Sequence, residues 1–302
     1  MTTPPAIFEQ PSPEETAAPV RVRGRRPLAL ALSTWPGRLG LAGVLLVLGV
    51  AVAGPFLAGS PTRPITAPFT PPGHGQALGT DLLGRSVLDR VLHGGLRLIL
   101  VATVATGLAY VIGASLGLFA GYKRNLADAA IMRALDVLLS FPPILLLLLL
   151  AASAGQGLPT IFIGSVFVNI PGAARIIRSA TQETVGQPFV EAAILRGERT
   201  AAILRREILP NILGSLFADA GPRLSGTIVL VAGLNYLGIG INPPTPDWGA
   251  MIFENRDGLT IQPWAVAAPA ILIVLLVVSI NLLGDAYARS IGRSGVVEAP
   301  PA

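Results

Sequence analysis

The chain of 302 residues has no cysteine, and only one of its 22 basic residues, Lys123, is a lysine. Without cysteine there are no disulfides, no thiolate metal sites and no thiol nucleophile. A nucleotide-binding loop of the Walker A type needs a glycine-lysine pair whose lysine reaches the phosphates. Lys123 follows Tyr122, so any ATP used here is hydrolysed by another polypeptide. The two histidines, His74 and His93, lie 19 residues apart with no His-Glu-x-x-His spacing. That favours surface histidines over a metal site. Charge is scarce too: 13% of residues are charged, against about 25% in soluble domains. No Ser/His pairing inside apolar sequence points to an intramembrane hydrolase.

What is abundant is apolar sequence, 52% of the chain. A bilayer core of about 30 Å is crossed by roughly 20 apolar residues in a helix. Six stretches reach that length, at 39–58, 96–119, 135–154, 158–177, 215–237 and 264–283. Pro142, Pro143, Pro171, Pro269, Gly226 and Gly233 fall inside them, and spanning helices tolerate such residues where neighbours re-satisfy the backbone. The unbroken leucines at 145–150 mark the third span most clearly. Trp264 opens the last span, and Trp248 sits in the preceding turn-rich segment near the interface, where aromatic anchors are expected. The fold class is all-α integral membrane, with six transmembrane helices.

Residues 1–36 are rich in Pro, Glu and Arg without apolar periodicity, and read as a disordered cytoplasmic tail. Arg21, Arg23, Arg25 and Arg26 resemble the basic start of a signal peptide. The apolar run that follows is too long for one, and no small-residue cleavage site follows it. Residues 37–94 then hold the first span and an external segment, 95–291 the transmembrane core, and 292–302 a second cytoplasmic tail.

Cytoplasmic loops of membrane proteins carry an excess of Lys and Arg. With the N-terminus inside, 16 basic residues fall on the cytoplasmic side and five (Arg63, Arg85, Arg90, Arg97, Arg256) outside, with Arg223 in the fifth span. Both termini are therefore expected in the cytoplasm. The net charge of +5 reflects these loop residues rather than affinity for nucleic acid, and the partner it indicates is the lipid bilayer.

The loop at 188–210 then lies in the cytoplasm. Pro188 suits the first turn of a helix. Phe189 with Ala193, and Val190 with Ile194, are i,i+4 pairs on one apolar face. Gly197 permits a sharp change of direction through positive φ. Ala201, Leu204 and Ile208 form a second apolar stripe, and Pro210 interrupts the ladder so that the fifth span starts in a new direction. The expectation is two short amphipathic helices at an angle on the membrane surface. They suit lipid headgroups, or a protein partner, for which the mixed charge of Glu191, Glu198 and Glu207 is the better match.

Glu191-Ala192-Ala193, Gly197 and Ile208-Leu209-Pro210-Asn211 resemble the EAA loop of ABC-importer permeases. The segment from Gly79, GTDLLGRSVLDRVLHGGLRL, resembles the peptide and nickel branch of that family. So do Gly121-Tyr122 with Asp128, Met132-Arg133 and Asp136; Arg175 and Arg178; Pro243 to Pro246 with Trp248-Gly249; and Asn281 with Gly284-Asp285. The resemblance runs from Gly79 to Ile291. It implies the architecture of an ABC type I importer permease in a bacterial plasma (inner) membrane, without catalytic activity of its own. It further implies a coupling loop carried by Glu191, Ala192, Ala193, Gly197, Ile208, Leu209 and Pro210. The implied partners are a second homologous permease, two cytoplasmic ATP-binding subunits that hold ATP and Mg, and an extracytoplasmic solute-binding protein. The implied cargo is peptides first, with nickel or another small solute as the alternative. The chain departs from the family pattern at Glu198-Arg199, Glu207, Ile170, Ala173 and Val231, and the loop departures imply an ATPase partner with matching charges.

Ionisable residues in or near spans suggest function by default. Asp219 and Arg223 are spaced to neutralise each other, Asp136 to pair with Arg133, and substrate contact is the alternative for all three. Asp81, Arg85, Asp89 and Arg90 read as local i,i+4 pairs or as a contact for the solute-binding protein. Asn169 and Asn235 suit hydrogen bonds between helices. An ion-driven secondary transporter would instead favour inverted repeats and midplane carboxylates, and neither is evident.

Overall fold

The computed structural model describes residues 27–73, 75–240 and 243–294, and these fold into helices with no β-strand among them. Helix α1 (Pro27–Ser33) turns directly into α2 (Trp35–Leu57), whose first turn is capped by the Thr34 hydroxyl accepting from the Gly37 amide at 3.3 Å. The end of the segment expected as a disordered tail is thus helical. Arg21, Arg23, Arg25, Arg26 and His74 lie outside the described residues. Helix α3 (Val87–Lys123) runs 37 residues, about 55 Å at 1.5 Å per residue, and so overshoots the bilayer core at one or both ends. Helices α4 (Leu126–Leu139) and α5 (Pro143–Ala154) follow, then α6 (Leu158–Val185), α7 (Pro188–Leu195) and a single turn α8 (Thr200–Ala202). A π-helix at Ile203–Ile208 leads into α9 (Leu209–Tyr236), and α10 (Trp248–Asn255) precedes α11 (Trp264–Ser294).

Four of these helices, α2, α3, α6 and α11, are long and apolar enough to cross a membrane, or five spans if α4 and α5 count as one. The third expected span is not a straight helix. Its two halves meet at an angle of 83°, and the leucine run occupies only the 12 residues of α5. Pro142 and Pro143 remove two successive amide donors, and a residue before proline is pushed out of the helical region. Single prolines at Pro55, Pro171, Pro222 and Pro269 stay inside helices; the adjacent pair does not. The expected fifth span is present as the 28-residue α9, but Asp219 and Arg223 among small residues leave it less apolar than the four above.

The most extensively packed pair is α3 with α6, and glycine is the reason. A Cβ at Gly113 would stand 2.8 Å from the Ala173 side chain, one at Gly117 2.5 Å from the Ala174 carbonyl oxygen, and one at Gly121 2.8 Å from the Arg178 carbonyl oxygen. Small residues at every fourth position let two helix backbones meet. Both helices are tied to α9: the Asn169 side-chain amide of α6 donates to the Thr227 hydroxyl of α9 at 3.0 Å, and the Thr106 hydroxyl of α3 donates to the same oxygen at 3.0 Å. The interhelical role expected of Asn169 is met.

The segment at 60–86 and α10 form one unit at the end of the bundle where α3 begins. Asp81 accepts from Arg85 at 2.7 Å and Arg90 at 2.9 Å, and Arg85 also binds Glu254 at 2.7 Å. Asp81, Arg85 and Arg90 are buried, so this is an internal charge cluster rather than a contact surface for another protein. Asp89 instead accepts from the Gly59 amide at 3.0 Å. Trp248 is not an interfacial anchor: it is fully buried, donates to the Val91 carbonyl at 2.8 Å, and fills space that exists because positions 94 and 95 are glycine. Beside it, buried Asp247 caps α10 through the Gly249 and Ala250 amides and accepts from Asn235 of α9 at 2.8 Å.

Burial pushes the Asp247 carboxyl up to about 6, against the pull of its hydrogen bonds to Ala250, Asn235 and Gly249. A carboxyl raised above its ordinary value of 3.8 binds its proton more tightly folded than unfolded. Its contribution to stability therefore grows as pH falls from about 6 toward 4 and is lost as pH rises through that window. Thermal unfolding of the purified protein should show that acid-side gain, and Asp247→Asn, which retains the capping oxygen, should flatten it. Removing the indole with Trp248→Ala should cost about 3–5 kcal/mol, read as a lower melting temperature in detergent.

Candidate functional site

The loop between α6 and α9 is built as a rigid bracket. Helix α7 starts at Pro188 and ends at a left-handed residue, Gly197, with φ of 74°. The Gly197 amide donates to the Ile194 carbonyl at 2.9 Å and the Glu198 amide to the Ala193 carbonyl at 3.2 Å. This is a Schellman closure, which satisfies the last carbonyls of a helix and needs positive φ. Nothing stands within 4 Å of a Cβ placed at Gly197, so the requirement there is conformational and not spatial.

The bracket is held from below. Val190, Ala193, Ile203 and Ile208 are buried together with Ile177 of α6 and Ile212 and Leu216 of α9. The expected second stripe, Ala201–Leu204–Ile208, is corrected: Ala201 is exposed, Leu204 half-buried, and Ile203 joins Ile208 in the core. The cause is the π-helix, in which hydrogen bonds run over five residues and residues i and i+5 come to share a face. The break expected at Pro210 is absent. Pro210 sits in the first turn of α9, and helical structure continues from Thr200 to Tyr236 without a loop residue.

Outward, the loop presents Glu191, Ala192, Ile194 and Leu195, with Leu195 82% exposed. The EAA triplet is therefore divided, with Glu191 and Ala192 facing out and Ala193 facing in. Arg196 closes on Glu198 at 2.6 Å, while Arg199, Arg205 and Arg206 are exposed. Of the residues assigned to coupling from sequence, Glu191, Ala192, Gly197 and Pro210 are exposed, Leu209 is half-buried, and Ala193 and Ile208 belong to the supporting core.

Three contacts fix the helix ends around this bracket. Arg178 of α6 grips Asp128 of α4 in a two-pronged pair, both bonds at 2.6 Å. Arg175 pairs with Asp136, which replaces the expected Arg133 partner, and Arg124 donates to the Gln182 carbonyl. Helix α6 runs to Val185, past the expected span end at 177, so Arg175 and Arg178 both lie within it. Deeper in the bundle, Asp219 and Arg223 of α9 pair as expected, and Tyr110 of α3 donates to the same carboxylate. Tyr110 and the Gly113, Gly117, Gly121 series are not among the residues expected from the sequence. The glycine repeat every four residues was the available signal; nothing local pointed to Tyr110. Among the described residues no group of three or more His, Asp or Glu side chains is placed to hold a metal ion.

The αL turn gives a direct test. Gly197→Ala places a Cβ in a left-handed backbone at a cost of about 1–2 kcal/mol. Hydrogen exchange at the Gly197 and Glu198 amides should accelerate, while the buried Ile203 and Ile208 amides keep their protection.

Residues 113–293 match the family of the binding-protein-dependent transport system inner membrane component. The di/tripeptide transport system permease protein DppC of Pseudomonas aeruginosa is 35% identical over 254 residues, covering 82% of this chain and 84% of that protein. The glutathione transport system permease protein GsiD of Pectobacterium atrosepticum is 38% identical over 215 residues, 71% of each chain. A solved inward-facing conformation of the MetNI methionine ABC transporter shares the fold. Its TM-score is 0.56 at 21% identity, over 68% of this chain and 96% of that one. The helical core from α3 to α11, with its bracket between α6 and α9, belongs to the binding-protein-dependent transport system inner membrane component family.

Proposed function

We propose that this chain is the transmembrane subunit of an ATP-driven importer of short peptides, and that the bracket at 188–210 is where ATP-binding subunits dock. The observation that carries the proposal is the division of α7. Its inward residues Val190 and Ala193 are locked into the core, while Glu191, Ala192 and the exposed Leu195 face away from the chain. An exposed apolar knob beside a carboxylate on a rigid turn is suited to a protein pocket, because a knob of this kind gains by leaving water. The peptide cargo is supported by relatives named for di/tripeptide and glutathione transport.

In this reading, α4 and α5 together make one bent span and α9 another, for six in all, with both termini cytoplasmic in a bacterial inner membrane. A second homologous permease completes the pathway, two ATP-binding subunits hold ATP and Mg, and an extracytoplasmic binding protein delivers the peptide. ATP-driven closure of the two ATPases draws the docked brackets together. Because the helix from Thr200 to Tyr236 has no loop residue in it, displacement of the bracket moves α9 and shifts the balance between inward- and outward-open states. Nucleotide acts by binding one of two states more tightly.

The double variant Glu191→Lys, Gly197→Asp alters the presented charge and the turn without touching a span. It should insert in the membrane normally, fail to co-purify with the ATP-binding subunits, and lower peptide uptake at least tenfold. Normal uptake by that variant would refute the docking assignment.

A further inference from the structure

Deep in the bundle, α9 carries the paired charges Asp219 and Arg223. They do not behave as a sealed structural pair. Each side chain is about one-fifth exposed, 19% for Asp219 and 20% for Arg223. The face beside them is open: nothing lies within 4 Å of a Cβ placed at Gly226 or Gly233, and Pro222, Gly226 and Val229 are exposed. Space for the guanidinium is also provided. It lies over Gly172 of α6, where a Cβ would stand 2.1 Å from Arg223 Nη1. The carboxylate is oriented by a third group, the Tyr110 hydroxyl. One turn further along α9, Thr227 extends the polar track with Thr106 and Asn169.

Charged side chains inside a membrane protein are costly and mark solute pathways. A short peptide crossing the same low-dielectric region carries an ammonium and a carboxylate, and each loses its water at a cost that an opposite charge must offset. A carboxylate and a guanidinium one helical turn apart offer both replacements without adding net charge. Resting on the peptide-import reading above, we propose that Asp219, oriented by Tyr110, and Arg223 form a site in the pathway that reads the two charged termini of a zwitterionic peptide. Arg223 receives the carboxylate, as guanidinium groups do in forked pairs, and Asp219 receives the ammonium. The internal ion pair is exchanged for two pairs with the solute and re-forms when the solute leaves.

The test uses the complete importer in proteoliposomes with an uncapped dipeptide. The neutral double variant Asp219→Asn, Arg223→Gln keeps hydrogen-bonding shape and removes both charges. It should lower dipeptide uptake at least tenfold while ATPase stimulation by the loaded binding protein stays within twofold. A second readout uses Gly226→Cys, which introduces the only cysteine in the chain. With the native pair, transported dipeptide should slow modification of that thiol several-fold, and with the neutral pair it should not. Undiminished uptake by the double variant, or no dipeptide protection at position 226, overturns the proposal. Loss of uptake together with loss of ATPase stimulation also overturns it, because that is the behaviour of a structural pair. If the unsubstituted importer takes up no peptide, the substrate reading itself fails; uptake indifferent to the pair defeats this assignment alone.

Discussion

The backbone contact between α3 and α6 is the constraint on which the rest of the molecule depends. Between helices in lipid there is little hydrophobic force, because the surrounding chains are as apolar as leucine. Close packing and internal hydrogen bonds must hold the bundle instead. Gly113, Gly117 and Gly121 bring α3 within backbone distance of α6. That contact places Thr106 and Asn169 where both reach Thr227 of α9. It also fixes α6 beside Asp128 and Arg124, so that the chain leaves Val185 at a defined position. Every element used in the functional reading is positioned by this contact or by something attached to it.

From that base the molecule has two differently built ends. At one end, buried charges and a buried tryptophan lock the segment at 60–86 to α10. Buried ion pairs are weak sources of net stability, yet removal of one partner is strongly destabilising. This end is therefore specific in geometry and intolerant of change. The other end carries the bracket, where an apolar underside is fixed and an upper face is left uncovered. Between them runs α9, joined to the bracket through a π-helix and to α10 through Asn235 and Asp247. Helical structure without a loop residue thus links the bracket, which we propose as the ATPase-docking surface, with the opposite end of the bundle.

Much of this was legible in the sequence, and the misses have physical causes. Residue type and spacing were enough for the positive φ at Gly197, the Asp219–Arg223 pair and the helical identity of five of the six apolar runs. The remaining run, at 135–154, is bent by 83° where a straight helix was expected, because hydropathy counts leucines and is blind to Pro142 and Pro143 acting together. The stripe on the second short helix failed because periodicity arguments assume hydrogen bonds over four residues, and Ile203–Ile208 uses five. Partners distant in sequence, such as Arg175 with Asp136 and Tyr110 with Asp219, are set by packing and have no local signature. Trp248 was misplaced for a related reason: two glycines 153 and 154 residues earlier, Gly95 and Gly94, create the space it fills.

The central claim is that the outward face of α7 is a protein-docking surface, and cross-linking measures this directly. A photo-reactive residue at position 195, in the assembled importer in membranes, reports what Leu195 touches. The account predicts an adduct with the cytoplasmic ATP-binding subunit, formed from position 195 and absent from the buried position 193. Adducts to lipid alone at position 195 would contradict it, and would return the bracket to a pair of helices resting on headgroups.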